Sequence, residues 1–419
     1  MRTPLLSRLA AVLAGVLAVS LPAVPPAQAA TDRRISYTQW TGFAQGHRAG
    51  VTVERGRLRL ARLVGRGSYD DPHGGPTKSY AYGHWSSPWR SPGHRFTELV
   101  ASWDASTPGD TWVQVKVRGR TPTGRRTSWD TLGRWSAGDR TFHRTSAGSQ
   151  GDDLAHVATD TWRADPRVSF ASYQLRLTLF RRVGTRATPY VDTVGAMASR
   201  LPDVSDVRTS RPGVARGVRL EVPRYSQMTH SGEYPRWGGG GQAWCSPTST
   251  SMVLGYYDRL PAPREYAWVN RDDRDRFVDH AARMTYDYEY GGTGNWPFNT
   301  AYAARYVRHA FVTRLHNLRQ AERFIRARIP LVASISFARG ELDGAPISGT
   351  NGHLVVIVGF TRSGDVVVND PAARQNRWVR RVYDRGQFED AWIPGSGGLV
   401  YVVRTADRPL PARNGADNW

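Results

Sequence analysis

Apolar and polar residues alternate over much of the first half of the chain. The alternation is clear over residues 112–117 and again over residues 173–180, and it has the period of two expected for half-buried β-strands. Turn-forming clusters such as Pro108-Gly-Asp110 and Pro122-Thr-Gly124 separate these runs. Short strands with regular turns and almost no helical period predict an all-β, sandwich-like domain over residues 31–201.

In the second half the pattern changes from a period of two to helical spacing. Leu318, Ala321 and Ile325 recur on one face of a predicted helix. Glu322 and Arg326 are spaced to form an ion pair along the same helix. The segments with helix-like spacing are residues 245–257, 299–310 and 318–328.

Strand-like apolar runs follow these helices. Asp384 and Gln387 form a helix-opening capping pair that leads toward Trp392. Helices followed by consecutive strands predict an α+β domain over residues 218–404, with residues 405–419 as a C-terminal tail. The strand-like runs are residues 331–337, 353–360, 365–369 and 399–403.

The start of the chain has the features of an export signal. Arginines and an apolar run too short to cross a bilayer precede the small-residue motif Ala27-Gln-Ala29. Residues 1–30 are therefore predicted to be a cleavable signal peptide, which makes the mature protein secreted, extracellular and without a transmembrane segment. Residues 202–217 are polar and contain prolines, so they are predicted to link two separable modules.

The formal net charge is +21, and nearly all of the positive residues are arginines. A compositional bias toward arginine explains this, or else the surface attracts polyanions such as anionic cell-wall polymers. No nucleic-acid-binding motif accompanies the charge, so no specific nucleic-acid partner is expected. The tryptophans of the first half either pack in its core or form a stacking platform; they are Trp85, Trp89, Trp103, Trp112, Trp129, Trp135 and Trp162.

The chain has a single cysteine, Cys245, which cannot form an internal disulfide. It is a reactive thiol, an intermolecular link or a small buried hydrophobic residue. It begins a predicted helix with Pro247 in the first turn, and the helix dipole there favours the thiolate that attacks carbonyl groups. Gln242 and the backbone N–H of Cys245 are then candidate donors to the oxyanion formed by that attack.

A base for this thiol is offered by His353, which begins an apolar strand. A turn and a return strand then lead to Asp370. A turn centred on Thr361-Arg362 places His353 directly opposite Asp370. A turn centred on Ser363-Gly364 shifts the register by four residues and keeps both side chains on one face. In both registers the carboxylate can orient the imidazole and leave its other nitrogen for the thiol.

These motifs resemble family thirty-nine of the cysteine peptidases. The shared pattern is Gln242-x-x-Cys245, then Gly352-His353-Leu-Val-Val-Ile-Val-Gly359, then Asn369-Asp370-Pro371, and it lies within residues 218–403. The resemblance implies a papain-like fold for the C-terminal domain. It also implies Cys245 as nucleophile, His353 as base, Asp370 as the residue that orients the base, and Gln242 as oxyanion donor.

The best-known members of this family remove leader peptides after a double glycine and are usually fused to export transporters. No transporter helices or ATP-binding motif follow here, so the chain resembles stand-alone secreted members, for which a peptidase without a defined substrate is implied. A glycine-rich loop over residues 290–299 either lines a substrate groove or caps the core. Asn295 and Trp296 of this loop, together with Trp244, are the candidate substrate-binding residues.

The sequence therefore predicts a secreted cysteine peptidase that hydrolyses peptide or protein substrates through a Cys–His–Asp triad with a glutamine oxyanion donor. The same thiol would serve a cell-wall peptide amidase or transpeptidase. A non-catalytic papain-like binding protein is the alternative from a different class. Neither a cofactor nor a metal is expected, because the following histidines lack ligand-like spacing: His230, His280, His309 and His316.

Overall fold

The alternating pattern of the first half folds into β-strands, as predicted. The computed structural model describes residues 33–415 and 418–419, so the predicted signal peptide lies outside the described residues. The strands of the first half are β1 (Arg34–Thr41), β2 (His47–Ala49), β3 (Val51–Glu54), β4 (Arg57–Leu60), β5 (Gly65–Tyr69), β6 (Lys78–Ser86), β7 (Glu98–Ser106), β8 (Thr111–Arg120), β9 (Asp130–Trp135), β10 (Ala155–Ala158), β11 (Thr161–Ala164), β12 (Ser172–Arg182) and β13 (Tyr190–Arg200).

These strands form two antiparallel sheets. One has the order β10-β11-β7-β13-β4-β3, with β1 also paired to β13. The other has the order β2-β6-β12-β8-β9, with β5 also paired to β6. Val113, Val115 and Val117 of β8 are fully buried, whereas Gln114 and Lys116 between them are only partly buried, because successive side chains of a strand point to opposite faces.

Most of the tryptophans of the first half are core residues. Trp85, Trp103, Trp112, Trp135 and Trp162 are buried. Of the seven tryptophans considered above, Trp89 and Trp129 are partly exposed to solvent.

The second half contains helices and a third antiparallel sheet. Its elements are α1 (Cys245–Tyr256), α2 (Phe277–Thr285), α3 (Trp296–Val307), β14 (His309–Arg314), α4 (Leu318–Arg326), β15 (Leu331–Phe337), β16 (Thr350–Phe360), β17 (Val366–Asn369), β18 (Arg380–Tyr383), α5 (Arg385–Ser396) and β19 (Leu399–Arg404). The sheet order is β14-β19-β15-β16-β17-β18. Among the described helices, none has the length and hydropathy that a membrane span requires.

Helix α3 begins three residues earlier than the sequence pattern predicts. The Asn295 side chain accepts a hydrogen bond from the backbone N–H of Phe298 and caps the helix, and Pro297 occupies the first turn. Arg308 has φ 68° and ends the helix, so Ala310 belongs to β14 and not to α3.

The predicted apolar face of α4 is confirmed, since Leu318, Ala321 and Ile325 are fully buried. The predicted pairing of Glu322 along this helix is wrong. Glu322 is itself buried and lies 2.9 Å from a guanidinium nitrogen of Arg385 in α5. A buried carboxylate needs a buried partner, and the solvent-facing Arg326 cannot provide it.

Residues 202–217, which the sequence assigns to a linker, are bound along the second half as a strap. The backbone N–H of Gly213 donates to both carboxylate oxygens of Glu322 at 2.9 Å. The backbone N–H of Ser210 donates to Glu389 over 2.6 Å. Both glutamates are buried, so these hydrogen bonds tie the strap to the core.

The two halves share hydrophobic cores. Tyr37 of the first half stacks on Phe311 of the second, with ring centroids 4.5 Å apart, and Trp103 packs against Phe298 at 6.1 Å. Residues 33–419 as described belong to one compact unit. Each half therefore buries part of its apolar surface against the other, and the separability of the two modules stays a prediction.

Candidate active site

The single cysteine is the first residue of α1. The side chain of Cys245 is partly buried and lines a cleft of about 550 Å³. Pro247 lies in the first turn, as the sequence predicts. The unpaired N–H groups of that turn and the positive end of the helix dipole therefore lie beside the sulfur, where they can stabilise negative charge on a bound group.

Trp244 holds the start of α1 in place and does not line the cleft. Its side chain is fully buried, and its Nε1 donates to the carbonyl oxygen of Trp237 over 2.6 Å. The indole packs in a small core with Val278 and Ala282 of α2. The structure thus gives Trp244 a supporting contact in place of the expected contact with substrate.

His353 and Asp370 form a buried pair. The distance from His353 Nε2 to Asp370 Oδ1 is 2.8 Å, and both side chains are at most 4% exposed. The same carboxylate accepts hydrogen bonds from the backbone N–H of Ala372 at 2.9 Å and from the hydroxyl of Tyr383 at 2.7 Å. Sequence reasoning missed Tyr383, which lies on β18, a strand that the apolar pattern did not predict.

The charges of this pair are mutually stabilised. Burial alone would lower the pKa of His353, but the Asp370 carboxylate and hydrogen bonds with Asp370 and Cys245 outweigh it and raise that pKa to about 10. Burial acts to raise the pKa of Asp370, and His353 and Tyr383 overcome it, so the pKa of Asp370 is lowered. Because Nε2 faces Asp370, Nδ1 is the ring nitrogen left for the thiol of Cys245.

The register of the β16–β17 hairpin lies between the two that the sequence predicts. Val356 pairs with Asn369 and Ile357 with Val368, which places Asp370 beside Val355 and diagonal to His353. The register then shifts by one residue between Ile357 and Gly359. The expected proximity of the two side chains is present, but each of the two predicted turn positions is wrong.

The residues that follow the strap are hydrogen-bonded to β16 at this register shift. The backbone N–H of Leu220 donates to the carbonyl oxygen of Val358 over 2.8 Å, and Phe360 donates to Val218 over 2.9 Å. The two backbones approach so closely that a Cβ on Gly359 would lie 2.4 Å from the Val218 oxygen. Only glycine fits at position 359 without displacing this segment.

The helix that carries the thiol is bonded directly to the strand that carries the base. The hydroxyl of Ser249 in α1 donates to the carbonyl oxygen of Leu354, the residue after His353, over 3.0 Å. Ser246 and Tyr401 form a second buried hydroxyl contact at 2.9 Å, which ties α1 to β19. These contacts fix the separation of thiol and imidazole through buried polar groups.

The structure places Gln242 in the loop before α1. Its Nε2 donates to the carbonyl oxygen of Gly239 at 2.6 Å, and its Oε1 accepts from the backbone N–H of Gly232 at 3.1 Å. The side chain is exposed and lies outside the residues that line the cleft. In this conformation both ends of its amide bond to the backbone of the loop, and the amide does not point to the position where an oxyanion would form.

Another glutamine, Gln227, lies between the thiol loop and the acid loop. Its buried side chain donates from Nε2 to the carbonyl oxygen of Gln242 over 2.7 Å. Its backbone N–H donates to the carbonyl oxygen of Pro371 over 2.9 Å. Gln227 thus joins the segment before Cys245 to the segment after Asp370. The sequence signal for this residue is a second glutamine upstream of Cys245, beyond the Gln242-x-x-Cys245 motif.

Both halves of the chain build the cleft. The second half contributes Cys245, the glycine loop at residues 290–294 and the strand ends near Ser336 and Gly352. The first half contributes the β10–β11 turn and its flanks, a contribution that sequence reasoning missed entirely: Ala158, Thr159, Asp160, Thr161 and Arg163.

The glycine-rich loop contributes to the cleft in part. Trp296 lines it, as predicted, whereas Asn295 is buried and does not. The Asn295 amide caps α3 and donates to Asp287 over 2.8 Å. Tyr290, which is 52% exposed, stands among the lining residues beside Cys245.

Asp160 joins the two walls of the cleft. Its carboxylate accepts a hydrogen bond from the backbone N–H of Trp296 over 2.8 Å. Burial raises the pKa of Asp160 to about 6 against the opposing effect of its hydrogen bonds. An acidic group from the first half, with a raised pKa, therefore lies at the edge of the cleft that contains Cys245.

Known protein families match the first and second halves of the chain separately. The Peptidase C39 N-terminal domain matches residues 34–199, and the Peptidase_C39 like family matches residues 219–398. No curated protein matches the chain.

One solved structure comes from a study of carbohydrate-binding modules of the β-sandwich superfamily. It is 10% identical with a TM-score of 0.17, and the match covers 38% of this chain and 54% of that one. The chain thus spans about half of that structure. A TM-score this low does not indicate a shared fold. The two family matches instead confirm the resemblance read from the motifs: the chain is a relative of the family-thirty-nine cysteine peptidases.

Proposed function

We propose that this protein is a papain-like cysteine peptidase that hydrolyses peptide bonds outside the cell, with Cys245 as nucleophile, His353 as base and Asp370 as the residue that orients the base. The single observation that carries the proposal is the buried His353–Asp370 pair, which lies beside the only cysteine of the chain at the N-terminus of α1, where that thiol helps to raise the pKa of His353. The apolar run within residues 1–30 is the ground for placing the activity outside the cell.

In this proposal His353 accepts the proton of the Cys245 thiol, and the sulfur attacks the scissile carbonyl carbon. The imidazolium of His353 then gives that proton to the leaving amine as the C–N bond breaks. The resulting thioester is hydrolysed by a water molecule that His353 deprotonates, which regenerates the thiol. Asp370 keeps Nε2 of the ring occupied, so Nδ1 is presented to the reacting atoms throughout.

The proposed oxyanion donor is the backbone N–H of Cys245, supported by the dipole of α1. Gln242 is assigned to the loop that leads into the helix, since its side-chain amide is bonded within that loop. Gln227 is assigned a positioning role, because its side chain fixes the carbonyl group of Gln242 and its backbone contacts the acid loop.

A peptide or protein is the substrate class that the cleft favours. It is open, runs between the β10–β11 turn and the loop at residues 290–294, and has the carbonyl group of Gly291 and the N–H of Gly292 beside the thiol, since the other backbone groups of these two glycines bond to Asp287. Backbone groups of an extended chain can pair with such exposed main chain. Tyr290 at the rim adds an aromatic surface for a substrate side chain.

A second candidate function, binding of an anionic polymer, has one specific observation in its favour. On the outer face of the β12–β8 pair, Arg118 lies 4.5 Å from the Trp129 ring centroid and Arg176 lies 4.4 Å from it. Arg120 stacks over Trp89 at 4.2 Å. Burial and the neighbouring arginines lower the pKa of Arg118, as expected where positive charges lie close together. We call this group the arginine–tryptophan face.

The peptidase proposal is tested by labelling the purified protein with a thiol-directed activity probe and then incubating it with a peptide library. Labelling faster than that of a free-cysteine peptide, together with cleavage, supports the proposal. Cys245→Ser removes the only thiol in the chain and is the control for both readouts.

The alternatives give different results in the same experiment. Cleavage restricted to cell-wall cross-link peptides assigns the thiol to a wall amidase or transpeptidase. A Cys245 that reacts no faster than the free peptide, with no cleavage, points to a non-catalytic binding protein.

A further inference from the structure

Three ionisable side chains converge beneath the loop that leads to the thiol. His230 ends the short turn at Gln227–His230, Glu233 follows it, and Asp279 projects from α2. Nδ1 of His230 lies 2.8 Å from Oε2 of Glu233 and 3.2 Å from Oδ2 of Asp279. The His230 and Asp279 side chains are fully buried, and that of Glu233 is 23% exposed.

The hydrogen bonding of this cluster is incomplete. One N–H at Nδ1 serves one acceptor, and the shorter contact goes to Glu233. Among the described residues, neither carboxylate oxygen of Asp279 nor Nε2 of His230 has a hydrogen-bond partner. A fully buried carboxylate without a donor is costly, and a positive ion next to it removes that cost.

The donor set is that of a transition-metal site. One imidazole nitrogen and two carboxylate oxygens are common protein ligands of Zn²⁺, which binds them at about 2.0–2.2 Å. Ligands of a tetrahedral ion at that distance lie roughly 3.3 Å apart, close to the separation of the His230 and Asp279 atoms. Mg²⁺ and Ca²⁺ prefer six or more oxygen ligands and fit this set less well.

We propose that His230, Glu233 and Asp279 bind one divalent cation of the zinc type. Glu233, which is 23% exposed, would provide the entry route from solvent, and a water molecule would be the fourth ligand. Ligand spacing along the chain did not reveal the site, because the fold brings Asp279 to the pair from a separate helix.

The position of the site indicates a structural role. The backbone of His230 packs so closely under Gly241 that a Cβ there would lie 2.2 Å from the His230 carbonyl oxygen. The His230 ring lies 6.1 Å from the ring of Trp244, the N-cap residue of the thiol helix. The ion would therefore join α2 to the segment that positions Cys245, without entering the cleft.

A shared proton is the competing occupant of the cluster. The ligand atoms of Glu233 and Asp279 lie within 4.8 Å of each other, so a proton and a cation compete for the same pair of carboxylates. A proton leaves no metal in the purified protein and gives no spectroscopic signal, and this difference separates the two occupants experimentally.

The test uses the full chain in a Cys245→Ser background, so that the thiol cannot bind metal. After chelation and dialysis, Zn²⁺ and Co²⁺ are titrated separately, with metal content, the visible spectrum of Co²⁺ and the melting temperature as readouts. We expect one ion per chain, a visible Co²⁺ spectrum and a higher melting temperature.

Glu233→Gln should weaken binding by more than about 100-fold. Because the Glu233 side chain is partly exposed, this conservative substitution should preserve folding. Asp279→Asn is the second variant. His143→Gln is the matched control, since the ring of His143 pairs with Asp71 alone and lies outside the cluster. Absence of bound metal with an unchanged melting temperature, or binding that Glu233→Gln leaves intact, would overturn the proposal in favour of the shared proton.

Discussion

His353 and Asp370 share one face of the third sheet because the β16–β17 ladder shifts by one residue between Ile357 and Gly359. Near the turn, Phe360 pairs with Val366, and that register continued without a shift would set Asp370 beside Val356. Since side chains alternate between faces, Asp370 would then face away from His353. The bulge restores the match, so a local irregularity aligns the base with its acid.

Gly359→Ala should lower the free energy of unfolding by about 1–3 kcal/mol, because its Cβ would collide with the backbone of Val218 and Arg219. Activity should also fall, even where the variant is fully folded, because displacement of the bulge would move His353 away from Asp370. Gly352→Ala is the matched control, because its Cβ would meet nothing within 4 Å. Denaturant titration measures both variants, and equal stability of the two would contradict the close approach.

Asp370→Asn should remove most of the activity and lower the pKa of His353 from about 10, because burial then acts without the carboxylate that opposes it. The imidazole resonances of His353 in an NMR titration report this pKa. Asp365→Asn, in the turn of the same hairpin, is the control and should leave the resonances unchanged.

The same pair makes stability depend on pH. The raised pKa of His353 gives stability that is fully present below its ordinary value of 6.5 and is lost as pH rises through about 10. The lowered pKa of Asp370 gives stability that is present above its ordinary value of 3.8 and is lost at lower pH. The stability gap between the wild type and Asp370→Asn should therefore be widest between about pH 4 and 6.5. A gap that stays constant up to pH 10 would contradict this assignment.

Gln227→Ala should reduce turnover by about 10²-fold, because it frees the segment before the thiol from the segment after Asp370, and small displacements at a reacting centre are costly. Gln242→Ala should cost only a few-fold, since its exposed side chain bonds within its own loop. Steady-state kinetics of the two variants check this order. A larger loss of turnover for Gln242→Ala than for Gln227→Ala would indicate that Gln242 is an oxyanion donor.

The full chain should unfold in a single calorimetric transition, because contacts such as Tyr37 with Phe311 and Trp103 with Phe298 join the cores of the two halves. A fragment of residues 218–419 should aggregate, since it would expose the apolar surface that the first half covers. Two separate transitions, or a folded and active fragment, would show that the halves are independent after all.

The arginine–tryptophan face should bind a phosphate polymer. Arg118→Gln combined with Arg176→Gln should weaken binding of polyphosphate roughly tenfold at low salt and reduce the salt dependence. Arg264→Gln combined with Arg271→Gln removes the same charge from exposed positions elsewhere and is the control. Equal losses for the two double variants would attribute the binding to net charge alone.

Sequence reasoning succeeded where the signal is local. The start of α1 at Cys245, the apolar face of α4 and the hairpin that carries His353 and Asp370 all follow from short-range periodicity and capping. The early start of α3 could also have been read from Asn295 followed by Pro297.

Long-range packing determined what sequence reasoning missed. Asp160 reaches the cleft from the first half, and Tyr383 reaches Asp370 from a strand with charged neighbours. Gln227 is placed by contacts with two separate loops. No periodic pattern records such contacts, because they depend on how distant segments pack and not on the residues beside them.

The shared cleft has a consequence for the order in which the protein is made. Its lining includes Ala158 and Thr159 from the first half of the chain and Gly395 and Ser396 from the last helix, α5. During synthesis the thiol emerges after the first wall is complete but before the last wall exists. A nascent chain that ends anywhere before Gly395 therefore lacks part of its substrate groove, so the order of translation itself delays assembly of the complete cleft until α5 has been made.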